Sequence, residues 1–178
     1  LEFRRVITVD ENYLFTVEDA VINRTGEPVT LFPYALISRQ GKPEILGYYI
    51  LHEGLIGVMG DKGLQEFSYS KIETEKQIPF DVTNAWLGIT DKYWAATLLP
   101  ETNARVKANF SARDLNNRKA YQTDYLLDPV TIAAGGTGSA KARLFAGAKE
   151  VSIVDHYDNA LKLNRFELLI DWGWFYFI

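Results

Sequence analysis

Along most of the chain, apolar and polar positions change places every second residue, the period of a strand half buried on a sheet. Over residues 13–21 the odd positions are Tyr, Phe, Val, Asp and Val, with Thr16 and Glu18 between them. Ala104, Val106, Ala108 and Phe110 alternate with Arg105, Lys107, Asn109 and Ser111. Tyr121, Thr123, Tyr125 and Leu127 share one face, residues 64–70 alternate, and Ala140, Ala142 and Leu144 alternate with Lys141 and Arg143. Residues 29–38 read as a strand in which Pro33 marks an edge or a bulge. Residues 85–90 and 93–99 predict a hairpin around Asp91-Lys92. Turn clusters at 23–28, 39–43 and 114–117 punctuate these runs. Residues 46–59, spaced by glycine, read as an irregular loop with short strands. Residues 71–79 are polar and 129–138 form a turn-rich link.

The period changes after Gly147. Val151, Val154 and Leu161, with Ile153, Tyr157 and Ala160, fit a helix over about 148–162 with a wide apolar face, and Asp155 and Asp158 fall on its other side. An apolar stretch at 165–170 follows. With no internal repeat or linker, the simplest parse is one domain over 1–178: strands over 1–145, the helix, and a closing segment over 165–178. Evenly spaced strands with turn signals predict a mainly β, antiparallel sandwich or barrel, here with a C-terminal helix.

Composition narrows the function. The 178 residues are 47% hydrophobic and 24% charged, an ordinary globular balance able to bury one sizeable core. With 19 basic and 23 acidic residues the net charge is −4, which argues against nonspecific nucleic-acid binding. The absence of cysteine excludes disulfides, thiolate metal sites and a thiol nucleophile. His52 and His156 are the only histidines, too few for a three-histidine metal site. No apolar run reaches the length of a membrane span.

Few residues offer chemistry. His52 and Glu53, with Asp61 nearby, would be minimal acid–base equipment on a sugar, but adjacent side chains in an extended chain point apart. His156 reads as a surface or packing residue. The glycine clusters at 54–57, 60–63 and 135–138 lack the Lys-Ser/Thr ending of a phosphate loop and read as turns. Asn23-Arg24-Thr25 and Asn109-Phe110-Ser111 match the glycosylation sequon. Trp86, Trp94, Tyr48 and Tyr49 are candidates for a sugar-stacking groove or for plain core packing. The C-terminal run Asp171-Trp172-Gly173-Trp174-Phe175-Tyr176-Phe177-Ile178 is the least ordinary feature. Trp172, Trp174 and Tyr176 suit a membrane–water interface, with Phe175 and Phe177 towards lipid, and the run reads as the approach to a membrane segment.

The order Phe3-Arg4-Arg5-Val6-Ile7, Tyr13-Leu14-Phe15-Thr16-Val17 and Trp86-Leu87-Gly88-Ile89-Thr90-Asp91-Lys92-Tyr93-Trp94-Ala95-Ala96 resembles the periplasmic domain of YidC, the bacterial membrane-protein insertase. So do Leu144-Phe145-Ala146-Gly147-Ala148-Lys149-Glu150 and Asp171-Trp172-Gly173-Trp174. The resemblance covers essentially the whole chain and is strongest to alphaproteobacterial members. It implies an antiparallel β-supersandwich, similar to galactose mutarotase, followed by a helix, on the periplasmic face of the inner membrane. It implies a non-enzymatic module without cofactor or metal. The implied partners are nascent membrane proteins, the Sec components SecD and SecF, and the membrane surface at the C-terminal end.

In that family further strands precede the position of Phe3, so a bare sheet edge, or one paired with a second copy, is expected here. The polar strip with Glu73, Glu75 and Lys76 is the candidate partner contact, or else a solvated loop. A carbohydrate-binding or carbohydrate-active sandwich, and a chaperone that binds extended apolar peptides, are the competing expectations.

Overall fold

The computed structural model describes residues 1–43 and 51–171. Thirteen strands are assigned among them. β1 (Glu2–Val9), β2 (Leu14–Ile22), β3 (Val29–Leu31) and β4 (Tyr34–Gln40) open the chain. β5 (Gly54–Met59), β6 (Leu64–Ser68), the short helix α1 (Tyr69–Glu75) and β7 (Gln77–Thr83) follow. Next come β8 (Ala85–Thr90), β9 (Trp94–Leu99), β10 (Arg105–Leu115), β11 (Arg118–Leu127), β12 (Val130–Ile132) and β13 (Thr137–Ala148). Helix α2 (Val151–Leu161) and a 3-10 turn (Phe166–Leu169) complete the described residues. The expected antiparallel sandwich with a C-terminal helix is therefore observed.

The larger sheet has the order β1-β2-β13-β9-β8-β5-β6, the smaller β4-β11-β10-β7, and β12 pairs with β3 as a small ribbon. The two large sheets enclose one core. Leu55, Phe67, Leu87, Ile89 and Leu98 meet Val106, Ala108, Phe110, Tyr121 and Tyr125 there. The alternation read in β10 and β11 is what delivers those inward faces. On the other side of the larger sheet, Ile56, Val58, Trp86, Leu99 and Phe145 pack on Val154 and Tyr157 of α2 and on Phe166 and Leu169 of the turn. Phe166 stands edge-on to Trp86 with ring centroids 5.2 Å apart. The centre of the larger sheet is thus covered on both faces.

That double cover explains where pattern reading fails. β5, expected as irregular loop, is a central strand in which every residue is buried, so it has no polar face to alternate. Gly57 serves close packing: a Cβ there would lie 2.5 Å from the carbonyl oxygen of Trp86. The polar strip at 71–79 is not a loop either. Ser68 caps α1 by accepting from the Lys71 N–H, Ile72 is fully buried beneath it, and the rest of the strip is the edge strand β7. The turn-rich link hides β12. On α2 the apolar face is narrower than expected, because Val151 and Ala160 are exposed.

β13 joins two parts of the larger sheet. It pairs with β2 over Thr137–Phe145 and with β9 over Arg143–Ala148, so the two ladders share Arg143, Leu144 and Phe145. The wing beyond it is β2 and β1, paired from Glu2↔Ile22 to Val9↔Phe15. β1 forms one sheet edge among the described residues, and Phe3, Val6, Ile7 and Val9 on it are exposed. Tyr13, in the turn between β1 and β2, lays its ring over Gly147, where a Cβ would collide with it. No described helix is long and apolar enough to cross a membrane.

Candidate functional site

Charged and polar side chains collect at one end of the sandwich, where β8 turns into β9. Arg39 at the end of β4 reaches across to Asp91 in that turn, with Nη1 donating to Oδ1 at 2.6 Å and Oδ2 at 2.8 Å. The same nitrogen donates to Tyr69 Oη at 3.3 Å, and burial pushes that phenol up to about 12. The backbone N–H of Lys92 donates to Glu53 Oε1 at 3.1 Å. Lys149, just past β13, donates from Nζ to Thr90 Oγ1 at 2.9 Å. Burial holds its ammonium below the ordinary lysine value, against the opposing pull of Asp171, Asp91 and Glu53. Asp171 closes the set: its Oδ2 accepts the backbone N–H of His52 at 2.9 Å.

Three elements are tied together by this knot. β4 brings the smaller sheet, the β8–β9 turn brings the larger one, and Asp171 brings the chain returning from α2. The return path is itself fixed. Asp158 Oδ1 accepts the Phe166 N–H at 2.8 Å, and Trp86 Nε1 donates to the Asn164 carbonyl at 3.0 Å. Beside the knot, Tyr93 and Trp94 are exposed, at 65% and 59% of their surfaces. Behind Trp94 a shallow groove of about 330 Å³ runs between β9 and β4, lined by Ile37, Ile89 and Ala96 among others. Two larger clefts lie along the wing, one of about 530 Å³ between β1 and the β3–β12 ribbon and one of about 790 Å³ between the wing and the segment around Glu101, Arg105 and Asp128.

The sequence-predicted chemistry does not assemble. The His52 ring lies 3.0 Å from the Leu55 carbonyl oxygen, and Glu53 is occupied by Lys92. Asp61 lies past the far end of β5, roughly 20 Å away by strand rise. His156 is exposed on α2 against the Tyr157 ring. Trp86 is buried in the helix-side core while Trp94 is on the surface, so the two cannot line one groove. Asn23 is fully buried: its amide donates to the carbonyls of Glu27, Ile132 and Ala133, which makes the first sequon a structural turn. Among the described residues no three His, Asp or Glu side chains converge as a metal site.

Glu73 is engaged, accepting from Tyr121 Oη at 2.6 Å and pairing with Lys42 at 3.3 Å, whereas Glu75 and Lys76 are exposed at the end of α1. Trp172, Trp174, Phe175, Tyr176 and Phe177, and likewise Tyr48 and Tyr49, lie outside the described residues.

The profile of the YidC periplasmic domain matches residues 1–178. The chain belongs to the YidC periplasmic domain family. It is 59% identical to the membrane protein insertase YidC of Nitrobacter hamburgensis, 57% to that of Bradyrhizobium diazoefficiens and 50% to that of Brucella melitensis. All of this chain is covered in each comparison, and 31%, 30% and 29% of those relatives. The chain thus spans about three-tenths of the length of the curated relatives it matches. Membership places it on the periplasmic face of the bacterial inner membrane.

In this YidC periplasmic domain the knot has no local signature in the sequence. Its members, Arg39, Glu53, Asp91, Lys149 and Asp171, are scattered along the chain and no local spacing joins them. Glu53 beside His52, the Asp91-Lys92 turn and Asp171 at the head of the aromatic run each stand out in the sequence, but nothing there indicates that they meet.

Proposed function

We propose that this chain is the non-catalytic periplasmic module of a YidC-type insertase, supporting the insertion and folding of inner-membrane proteins and meeting the Sec translocon through SecD and SecF. The observation that carries this reading is the clamp on Asp171. The residue is held against the sandwich by the His52 N–H, and in sequence it directly precedes Trp172, Trp174, Phe175, Tyr176 and Phe177. Such a clamp would set the point at which an aromatic, interface-seeking segment leaves the folded body. The insertase names of the relatives support the same reading. The polar groups at this end are paired with one another, an arrangement suited to structure more than to turnover. Glu75 and Lys76, exposed beside the engaged Glu73, are the proposed contact for a translocon component.

The test uses the full-length insertase carrying this chain. A photo-cross-linking residue in place of Glu75 or Lys76 is expected to yield adducts with SecD or SecF in native membranes. The same probe in place of Glu101, at the opposite end of the sandwich, is expected to yield none. Purified chain is expected to leave simple sugars unchanged. Adducts from Glu101 alone, or turnover of a saccharide, would overturn the proposal.

A further inference from the structure

We propose that the tip of the β8–β9 hairpin, through Tyr93 and Trp94, is a second contact with the lipid headgroup layer, so that the sandwich stands end-on to the membrane. The inference rests on the proposed interfacial role of the segment after Asp171 and adds a surface distant from it in sequence.

Three observations converge on it. First, Tyr93 and Trp94 are the most exposed adjacent aromatic residues among the described residues at this end of the fold, and rings with one polar edge are the residues that partition to the bilayer interface. Second, a short chain of contacts places them beside the point where the interfacial segment leaves the fold. The Tyr93 carbonyl accepts the Lys149 N–H at 2.9 Å, and the Lys149 ammonium is close enough to Asp171 to feel its charge. Whatever fixes Asp171 near a membrane therefore brings the hairpin tip there too. Third, the tip is chemically prepared for headgroups. The Lys92 ammonium lies over the Tyr93 ring at 4.9 Å, so a cation and a ring with a polar edge stand together at the tip. Asp91 is paired with Arg39, Glu53 with the Lys92 N–H, and Asp171 with the His52 N–H. Tyr13, half exposed in the β1–β2 turn and seated on Gly147, widens the aromatic rim at the same end.

The occupant is a lipid surface and not a soluble ligand, because both rings are more than half exposed and, among the described residues, the groove bordered by Trp94 encloses neither of them. The groove behind Trp94 is open and shallow. A hairpin tip is also stiff. Its strands are the fully paired centre of the larger sheet, so the contact transmits orientation instead of folding back.

The experiment uses the full-length insertase, without other cysteines, reconstituted in vesicles of phosphatidylethanolamine and phosphatidylglycerol. An environment-sensitive fluorophore is attached in turn to Tyr93→Cys, Glu101→Cys and Phe175→Cys, and quenching by spin-labelled lipid is measured. Quenching at positions 93 and 175 but not at 101 is the expected result. Quenching at 175 without 93 overturns the hairpin contact and leaves the interfacial segment intact. Absence of quenching at both overturns the two together. Equal quenching at 93 and 101 overturns the end-on orientation.

Discussion

The centre and the wing of the larger sheet are built from the same kind of strand and reach opposite ends. In β5 and β8 every residue is buried, whereas in β1 seven of the eight are exposed. The difference is cover. At the centre, the smaller sheet lies on one face and α2 with the 3-10 turn on the other, while β1 has neither. A strand's stability contribution thus depends on what its two faces meet more than on its own composition. Phe3, Val6, Ile7 and Val9 are as apolar as Leu55, Ile56 and Val58, yet only the second set is removed from water.

Four substitutions test this contrast. The largest loss is expected at the cover itself. Val154→Asp would place an unpaired carboxylate between α2 and the sheet and is expected to cost more than about 4 kcal/mol. A variant melting like the parent would show that α2 is not a brace. Trp86→Ala removes the centre's largest buried ring and its bond to Asn164, with about 3–5 kcal/mol expected from urea unfolding.

The third test addresses the tie between the regions. Tyr157 Oη donates to Asp10 Oδ2 at 2.6 Å, which links α2 to the β1–β2 turn. Burial raises the Asp10 carboxyl, but hydrogen bonds from Tyr157, Leu14 and Asn12 outweigh it and hold the group below its ordinary 3.8. A depressed carboxyl contributes stability that is present above pH 3.8 and lost as pH falls through the folded value. Because Asp10 is exposed and solvent screens the contact, Tyr157→Phe is expected to cost only about 1 kcal/mol at neutral pH and to flatten the acid limb of a stability–pH curve. An unchanged acid limb would remove Asp10 from the account.

The smallest effect belongs to the wing. Ile7→Thr on β1 is expected to shift stability by no more than about 0.5 kcal/mol. A loss of the size seen at the centre would mean that the wing is covered in solution.

The same contrast decides what could be read from the sequence. Strands with one wet face announce themselves: β2, β10, β11 and the outer part of β13 appear in the alternation, and Asn116-Asn117 marks the tight turn with both residues at positive φ. β8 and β9 were found as a hairpin from the Asp91-Lys92 turn between two apolar runs. β5 was not, because a strand wet on neither face has no period to detect, and its glycines imitate a loop. α1 was missed for the opposite reason. Its single buried stripe, Tyr69 and Ile72, is too short to show a helical period among Ser70, Lys71, Glu73 and Glu75. The polar knot escaped because its pairs are long-range: Arg39 and Asp91 lie 52 positions apart, and His52 and Asp171 lie 119 apart.

The offset along β13 has a mechanical consequence. Only three of its residues carry both ladders at once, so force applied to the wing enters the interior through a narrow splice. β1 and β2 can peel away under load while the doubly covered centre, and the aromatic hairpin it stiffens, keep their shape. The wing is thus the part of the larger sheet expected to yield first when the fold is loaded.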